Sequence, residues 1–270
     1  MDSRPQKGGA MDGRGGSRRT QLPDAPPRRW SAADGVAWEG LRLLEADPDL
    51  APGMPDADRA QAQAVLVPAL RAERGPWVPP ERLGAAIVVV VLEGLLVARG
   101  VTYARDDAQL VGPGDTLDGR LLADRSVRWR ALEPMRLAVL DERFVLAARR
   151  WPALLTGLTR RLLDCQRNRQ TRAAICAMPR VEERVLALLS HLALQWGHVT
   201  PDGVTLQLPL THELLGALIG ARRPTVSLAL TSLAQEGLVS RRDDGTWLLP
   251  LTCREWPETG VPRDRGAMAA

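Results

Sequence analysis

Arg222 and Arg223 stand directly before Pro224, and Thr225 and Ser227 follow one and three residues after it. The planar fork of an arginine donates two parallel hydrogen bonds to O6 and N7 of guanine, and the same fork pairs with phosphate. Small hydroxyls reach a base edge or a phosphate oxygen without steric conflict. A second pair, Arg241-Arg242, precedes Asp243-Asp-Gly245. Between residues 180 and 256 there are seven Arg, and four of them fall in these two pairs. The chemistry implied is contact with the base edges and backbone of a nucleic acid.

Other chemistry finds no support. His191, His198 and His212 have no metal-ligand spacing to one another or to Cys165, Cys176 and Cys253, so structural or surface roles are expected and no metal site. Cys165 and Cys176 lie on one predicted helix, at its seam or packed against the preceding domain, where buried thiols are inert. No nucleophile elbow, P-loop or dinucleotide fingerprint occurs, so an enzyme is not expected.

The elements that must hold the two arginine pairs are sharply punctuated. Val185, Leu188, Leu189 and Leu192 share one face of a helix predicted over Val181 to Trp196. Val199 to Leu206, with Pro201-Asp-Gly203 at its middle, reads as two short strands around a turn. Thr211 is a good N-cap, with Leu210 and Leu215 as a hydrophobic staple, for a helix that Gly220 stops near Ile219. Ala221-Arg-Arg forms the turn, and Pro224 is read as the first position of a third helix with Val226, Leu230 and Leu233 inward and Gly237 as its left-handed end. Leu238 to Leu249 is a predicted hairpin with an Asp-Gly turn. Helix, short turn, helix and hairpin make a winged helix-turn-helix, in which the helix after the turn enters the major groove N-terminus first. Arg222, Arg223, Thr225 and Ser227 then face DNA, with Thr211 at the neighbouring helix start. Arg223 reads a base, while Arg241 and Arg242 on the wing meet flanking phosphates.

Upstream, the chain divides into a Gly/Pro/Arg-rich tail (1–35), expected to be disordered, a β-rich region (36–150), a long helix (151–179), the winged domain (180–256) and a second tail (257–270). The Arg-Gly stretch Arg14–Arg19 is read as solvated. Val36 to Ala46 suits a short amphipathic helix. Short apolar stretches at Val65–Val67, Ile87–Leu92, Leu95–Ala98, Arg128–Ala131 and Arg136–Leu140 alternate with turns, as in an antiparallel sandwich or barrel. Gly112-Pro-Gly-Asp115 is a tight turn, and Glu93-Gly94 is expected to join two strands of a hairpin. From Pro152 no helix breaker intervenes before Pro179. Leu155, Leu158, Leu162 and Cys165 follow a 3–4–3 spacing there, the seam expected of a dimer helix. Residues 149–179 carry seven Arg against Asp164 alone, whereas residues 36–148 carry thirteen Arg against seventeen acids.

The longest apolar run, Ala85 to Leu92, is far short of the ~20 residues that span a bilayer, and the first 35 residues hold no apolar signal core. Three cysteines make no disulfide framework. A soluble, cytoplasmic chain without membrane contact is the expectation.

Residues 180–249, and above all the run from Leu210 through Thr211, Gly220, Arg223, Ser227 and Gly237 to Val239, resemble the C-terminal DNA-binding domain of the Crp/Fnr regulators. The resemblance implies that Arg223 is the guanine-reading arginine of the recognition helix and that Thr225 and Ser227 face DNA. Pro224 replaces the family's acidic residue and Leu228 its second basic reader, which implies a different operator. Residues 62–178 resemble, more weakly, the family's cyclic-nucleotide-binding-like β-roll and long dimerisation helix, so an α+β fold with these parts is expected. Val111–Asp115 is similar to its Pro-Gly-Asp turn. Arg125-Ser126 and Ala131-Leu132 are similar to the end of its phosphate-binding cassette, where Arg and Ser hold a cyclic phosphate. The other half departs: Gly119 is followed by Arg120 where the family has the ribose-binding Glu, and an arginine only donates. The effector pocket at Gly119, Arg120, Arg125 and Ser126 is therefore expected to be degenerate and its cyclic nucleotide lost. The iron–sulfur variant, which needs an N-terminal cysteine cluster, is excluded because the first cysteine is Cys165. The resemblance implies double-stranded DNA with a palindromic operator, a second copy of the chain and RNA polymerase as partners. The alternative is a ligand-sensing or protein-interaction module whose winged helix no longer binds DNA.

Overall fold

The computed structural model describes residues 37–102 and 105–250; the two tails, Val36 and Cys253 lie outside them. In chain order the first part contains β1 (Trp38–Arg42), α1 (Leu43–Ala46), α2 (Asp56–Gln63), β2 (Leu66–Ala72), β3 (Gly75–Trp77), β4 (Val88–Glu93), β5 (Leu96–Thr102), β6 (Arg105–Val111), β7 (Thr116–Leu117), α3 (Gly119–Ala123), β8 (Arg128–Ala131), β9 (Met135–Leu140) and α4 (Glu142–Ala148). The long helix α5 spans Pro152–Ala177, and α6 (Val181–Trp196), β10 (His198–Thr200), β11 (Gly203–Leu206), α7 (His212–Ile219), α8 (Arg223–Gln235), β12 (Ser240–Arg241) and β13 (Trp247–Leu249) follow. The α+β architecture predicted from the sequence, a β-rich first half, a long helix and a C-terminal winged helix-turn-helix, is the one found.

Two antiparallel sheets, β1-β2-β9-β4-β7 and β3-β8-β5-β6, form the roll. The run of four valines in β4 reflects burial on both faces: Val89 and Val91 enter the core between the sheets, Val88 and Val90 the core shared with α1, α4 and α5. β5 behaves likewise, with Leu96 and Ala98 inside the roll. On its other face Val97, with Leu95 just before the strand, joins the core of the winged domain.

Two expectations fail here. Trp38–Arg42 is a strand, paired with β2 from Trp38↔Leu70 to Arg42↔Leu66, and only Leu43–Ala46 is helical. The apolar spacing of 36–46 fits either form, and the free edge of β2 decides for the strand. Nor is Glu93-Gly94 a hairpin turn. β4 pairs with β9 and β7, β5 with β6 and β8, so Gly94 carries the chain from one sheet to the other. It does so at φ +81°, against the backbone of Pro134, where a side chain has no room.

α5 has 26 residues, roughly 39 Å at ~1.5 Å per residue. Pro152 opens it and Leu154 and Leu158 anchor it in the core beneath the first sheet. Beyond them its inward face is polar until Ile175, which enters the core of the winged domain. Arg161 forms a bidentate ion pair with Asp47, the two side chains only 11% and 13% exposed, and Arg172 donates to the carbonyl of Ala108. Among the described residues no helix is long and apolar enough to cross a membrane.

Candidate nucleic-acid interface

α7 begins where the side chain of Thr211 accepts a hydrogen bond from the Leu214 amide at 3.1 Å, satisfying one of the unpaired donors of the first turn. Leu210 and Leu215 are fully buried beneath it. Gly220, at φ +67°, ends the helix in the left-handed conformation and lets the Ala221 amide donate back to Gly216 at 2.9 Å. This reversal delivers Arg222 as the N-cap residue of α8 and Arg223 as its first helical residue. Pro224, expected in the first position, is the second. Val226, Ala229, Leu230 and Leu233 bury the inner face of α8 against α6 and α7. Arg222, Arg223, Thr225 and Leu228 lie on the opposite, open face, Leu228 with 72% of its surface exposed. Gly237 closes α8, and the Leu238 amide donates to Leu233 at 2.9 Å in the pattern of a Schellman end.

Ser227 is not simply open. Its hydroxyl donates to the carbonyl of Arg223 at 3.1 Å and lies 2.8 Å from Nδ1 of His212, the first residue of α7. A hydroxyl has one proton, so with that proton given to Arg223 both bonds are made in the tautomer whose Nδ1 carries hydrogen. Burial, then the guanidiniums of Arg241 and Arg223, hold the imidazole below its usual pKa. Sequence reasoning assigned His212 no functional role. Its partner lies fifteen residues away on another helix, and no periodic signal connects the two.

On the wing, the Arg241 guanidinium lies 5.1 Å from the ring centroid of Trp247, within range of a cation–π contact. Arg242 pairs with Asp202, in the β10–β11 turn, at 3.1 Å. Arg222 and Arg223, in contrast, make no ion pair among the described residues. The four arginines and Thr225 are all exposed, so turn, recognition helix and wing present them to solvent together.

The residues proposed for the effector pocket are not gathered around a cavity. Gly119 is wedged against the carbonyls of Leu83 and Ala86. Arg120 is exposed, its amide bonded to the capping carboxylate of Asp118 at 2.9 Å. Arg125 pairs with Glu81 at 2.9 Å, and Ser126 gives both its amide and its hydroxyl to Asp124. Those two bonds hold the Asp124 carboxyl below its usual pKa. Between the roll and the long helix, the space bounded by Asp115, Thr116, Cys165, Arg169 and His191 is a cavity of about 20 Å³, room for a single water. A groove of about 960 Å³ opens instead between the second sheet and the winged domain. Arg125 lines it, with Arg74, Trp77, Arg128, Arg130 and Arg241.

The expected helix seam is divided. Leu158 is 6% exposed and belongs to the chain's own core. The Cys165 sulfur takes hydrogen bonds from the amide and hydroxyl of Thr116 at 3.3 Å. Burial, and next the charge of Asp115, push its thiol pKa up. Leu158 thus leaves a partner helix no contact surface, and Cys165 is partly buried with its sulfur turned to the roll. Leu155 is half-buried, and Leu162 (41%) and its neighbour Leu163 (52%) are the exposed leucines of α5. A 3–4 repeat marks an apolar stripe but cannot say whether the roll or a second chain covers it.

Residues 183–250 match the family model of the Crp-like helix-turn-helix domain. Among solved structures, a CooA mutant from Carboxydothermus hydrogenoformans is similar, with 20% identity, a TM-score of 0.54 and coverage of 67% of this chain and 82% of that one. A cyclic nucleotide-binding domain containing protein from Listeria monocytogenes has 15% identity and a TM-score of 0.57, with 67% and 87% covered. A CRP-family transcriptional regulator from Thermus thermophilus has 22% identity and a TM-score of 0.51, with 67% and 92% covered. No curated protein matches the sequence. At these identities the solved structures speak for a shared fold. With the matched winged domain, they bear out the resemblance to the Crp/Fnr regulators.

Proposed function

We propose that the chain is a homodimeric, sequence-specific DNA-binding regulator of transcription, acting in the cytoplasm at palindromic operators and through RNA polymerase. The observation that carries this is the exposed, unpaired arginine pair at the start of α8, where the free amides and positive end of a helix also favour an anion. Arg223 is assigned to a base edge, Arg222, Thr225, Ser227 and Thr211 to the same groove, and Arg241 and Arg242 to flanking phosphates. Leu228, exposed on the same face, is suited to the methyl group of a thymine. The dimer contact is assigned to Leu155, Leu162 and Leu163 on α5, bringing two recognition helices to a spacing of ~34 Å. The roll is read as a degenerate cyclic-nucleotide-type sensor, because Arg120 stands in place of a carboxylate and Arg125 and Ser126 are engaged by Glu81 and Asp124. The domain divisions at about 36, 150 and 180 follow this assignment. Selection of bound sequences from random duplexes tests it. A palindromic consensus is the expected result; no enrichment, or binding indifferent to salt, speaks for a protein-interaction module instead.

A further inference from the structure

We infer that His212 is a titratable DNA contact, which takes up a proton at Nε2 when the phosphate backbone arrives and so makes operator affinity rise with acidity. This rests on the reading of α7 and α8 as the DNA-binding elements.

His212 sits beside the N-cap Thr211 at the foot of the recognition helix. With Nδ1 donating to Ser227 at 2.8 Å and Ser227 donating to Arg223 at 3.1 Å, Nε2 is the basic nitrogen. A proton added there leaves both hydrogen bonds in place, so no packing separates the neutral from the charged form. Three influences oppose the charge in the free protein. They are partial burial, the guanidinium of Arg241 from the wing and that of Arg223 from α8. The positive N-terminal end of α7 acts in the same sense. Glu213, the acid next to it, is engaged by Arg99 of β5 at 3.8 Å. Arg241 is assigned to a phosphate and Arg223 to a base edge of the same polyanion, so the negative potential of the arriving duplex offsets both opposing charges and adds an attraction of its own. The pKa of His212 is then lower in the free protein than in the complex. Binding takes up as much as one proton per protomer in the interval between the two values, and affinity increases as pH falls through it.

The test uses the full chain and its selected operator, at fixed ionic strength, from pH ~7.5 to ~5.5. Relative to His212→Gln, wild-type affinity is expected to rise about tenfold per protomer bound, the equivalent of one unit of pKa difference. His212→Arg, charged throughout, is expected to hold the acid-level affinity at every pH. NMR titration of the His212 ring, free and bound, is expected to show its pKa rising on binding. An equal pH dependence in His212→Gln and wild type, an affinity of His212→Arg that still tracks pH, or an unmoved ring titration each overturns the inference while leaving DNA binding intact. If wild type binds no duplex at any pH, the assignment of α7 and α8 has failed with it.

Discussion

Replacing Arg223 by Ala separates base reading from backbone binding. The side chain is exposed at the first position of α8 and makes no ion pair among the described residues, so its removal should change folding stability by no more than ~0.5 kcal/mol. The backbone that positions it is held independently, by the Ser227 hydroxyl on the Arg223 carbonyl at 3.1 Å and by Gly220 in the preceding turn. What is removed is therefore the exposed side chain beyond Cβ, with no change to the backbone that carried it. A bidentate arginine–guanine pair discriminates by ~1–3 kcal/mol, which is ~5- to ~150-fold in affinity for each half-site. Fluorescence anisotropy with the selected operator and a scrambled duplex of equal length, each at several salt concentrations between ~50 and ~200 mM, gives the two affinities and their salt slopes. The expected result is a large loss on the operator, little change on the scrambled duplex and a relaxed preference at one base pair per half-site. Arg241→Ala should weaken both duplexes alike and reduce the salt slope by about 0.9 for each phosphate that the variant no longer neutralises. Equal losses on both duplexes for Arg223→Ala would refute the assignment and move base reading to Arg222, the neighbouring N-cap residue.

Leu162→Asp with Leu163→Asp should yield a folded monomer by sedimentation, whereas Leu158→Ala, at a buried core position, should cost ~2–5 kcal/mol in denaturant unfolding. Uracil in place of operator thymine should weaken wild-type binding and leave Leu228→Ala indifferent, since Leu228 is assigned to the methyl group. Asp202→Asn releases Arg242 from its exposed pair, and operator affinity should rise a few-fold at low salt, the gain vanishing as screening increases. His191 is held below its usual pKa of 6.5, first by burial and then by Arg172. The unfolded chain thus binds that proton more readily, and stability that is complete above 6.5 declines as pH falls towards the folded value. Urea unfolding at pH ~7 and ~5 should show this decline, reduced in His191→Gln.

The winged half was legible because each of its boundaries carries a local signal: the Thr211 cap, Gly220 and Gly237 in left-handed turns, a proline in the first turn of α8. These act within one turn of chain and need no knowledge of the rest. The roll was legible only in part. Its apolar strands stood out, but β6, opening on Arg105, Asp106 and Asp107, alternates only over Ala108, Gln109 and Leu110, too briefly to be recognised, and the short β3 and β7 escaped as well. β1 was mistaken for a helix because its partner, β2, lies more than twenty residues away. Gly94 was read as a turn within one sheet, since a positive φ marks a reversal but not the strand that receives the chain. The same limit explains the seam at Leu158 and Cys165, and the His212–Ser227 contact.

β5 bears directly on how the two halves communicate. Its alternate residues belong to different cores, Leu96 and Ala98 to the roll and Val97 to the winged domain, where Leu95, just before the strand, and Ala108 and Leu110 of β6 join it. From its middle, Arg99 reaches Glu213 on the first turn of α7. The start of α7, and through His212 and Ser227 the start of α8, is thus set by the same strands that close one side of the roll. Burying Val97 or Leu95 is worth ~1.5–3 kcal/mol each, far more than the exposed Arg99–Glu213 pair, so the apolar contact and not the ion pair fixes the orientation. Any ligand that turned the winged domain would need an affinity difference between the two arrangements comparable to that apolar surface. The arginine-lined groove runs along this same boundary, from Arg128 and Arg130 on the roll to Arg241 on the wing. An occupant there would touch both bodies at once, which is the geometry a differential affinity requires.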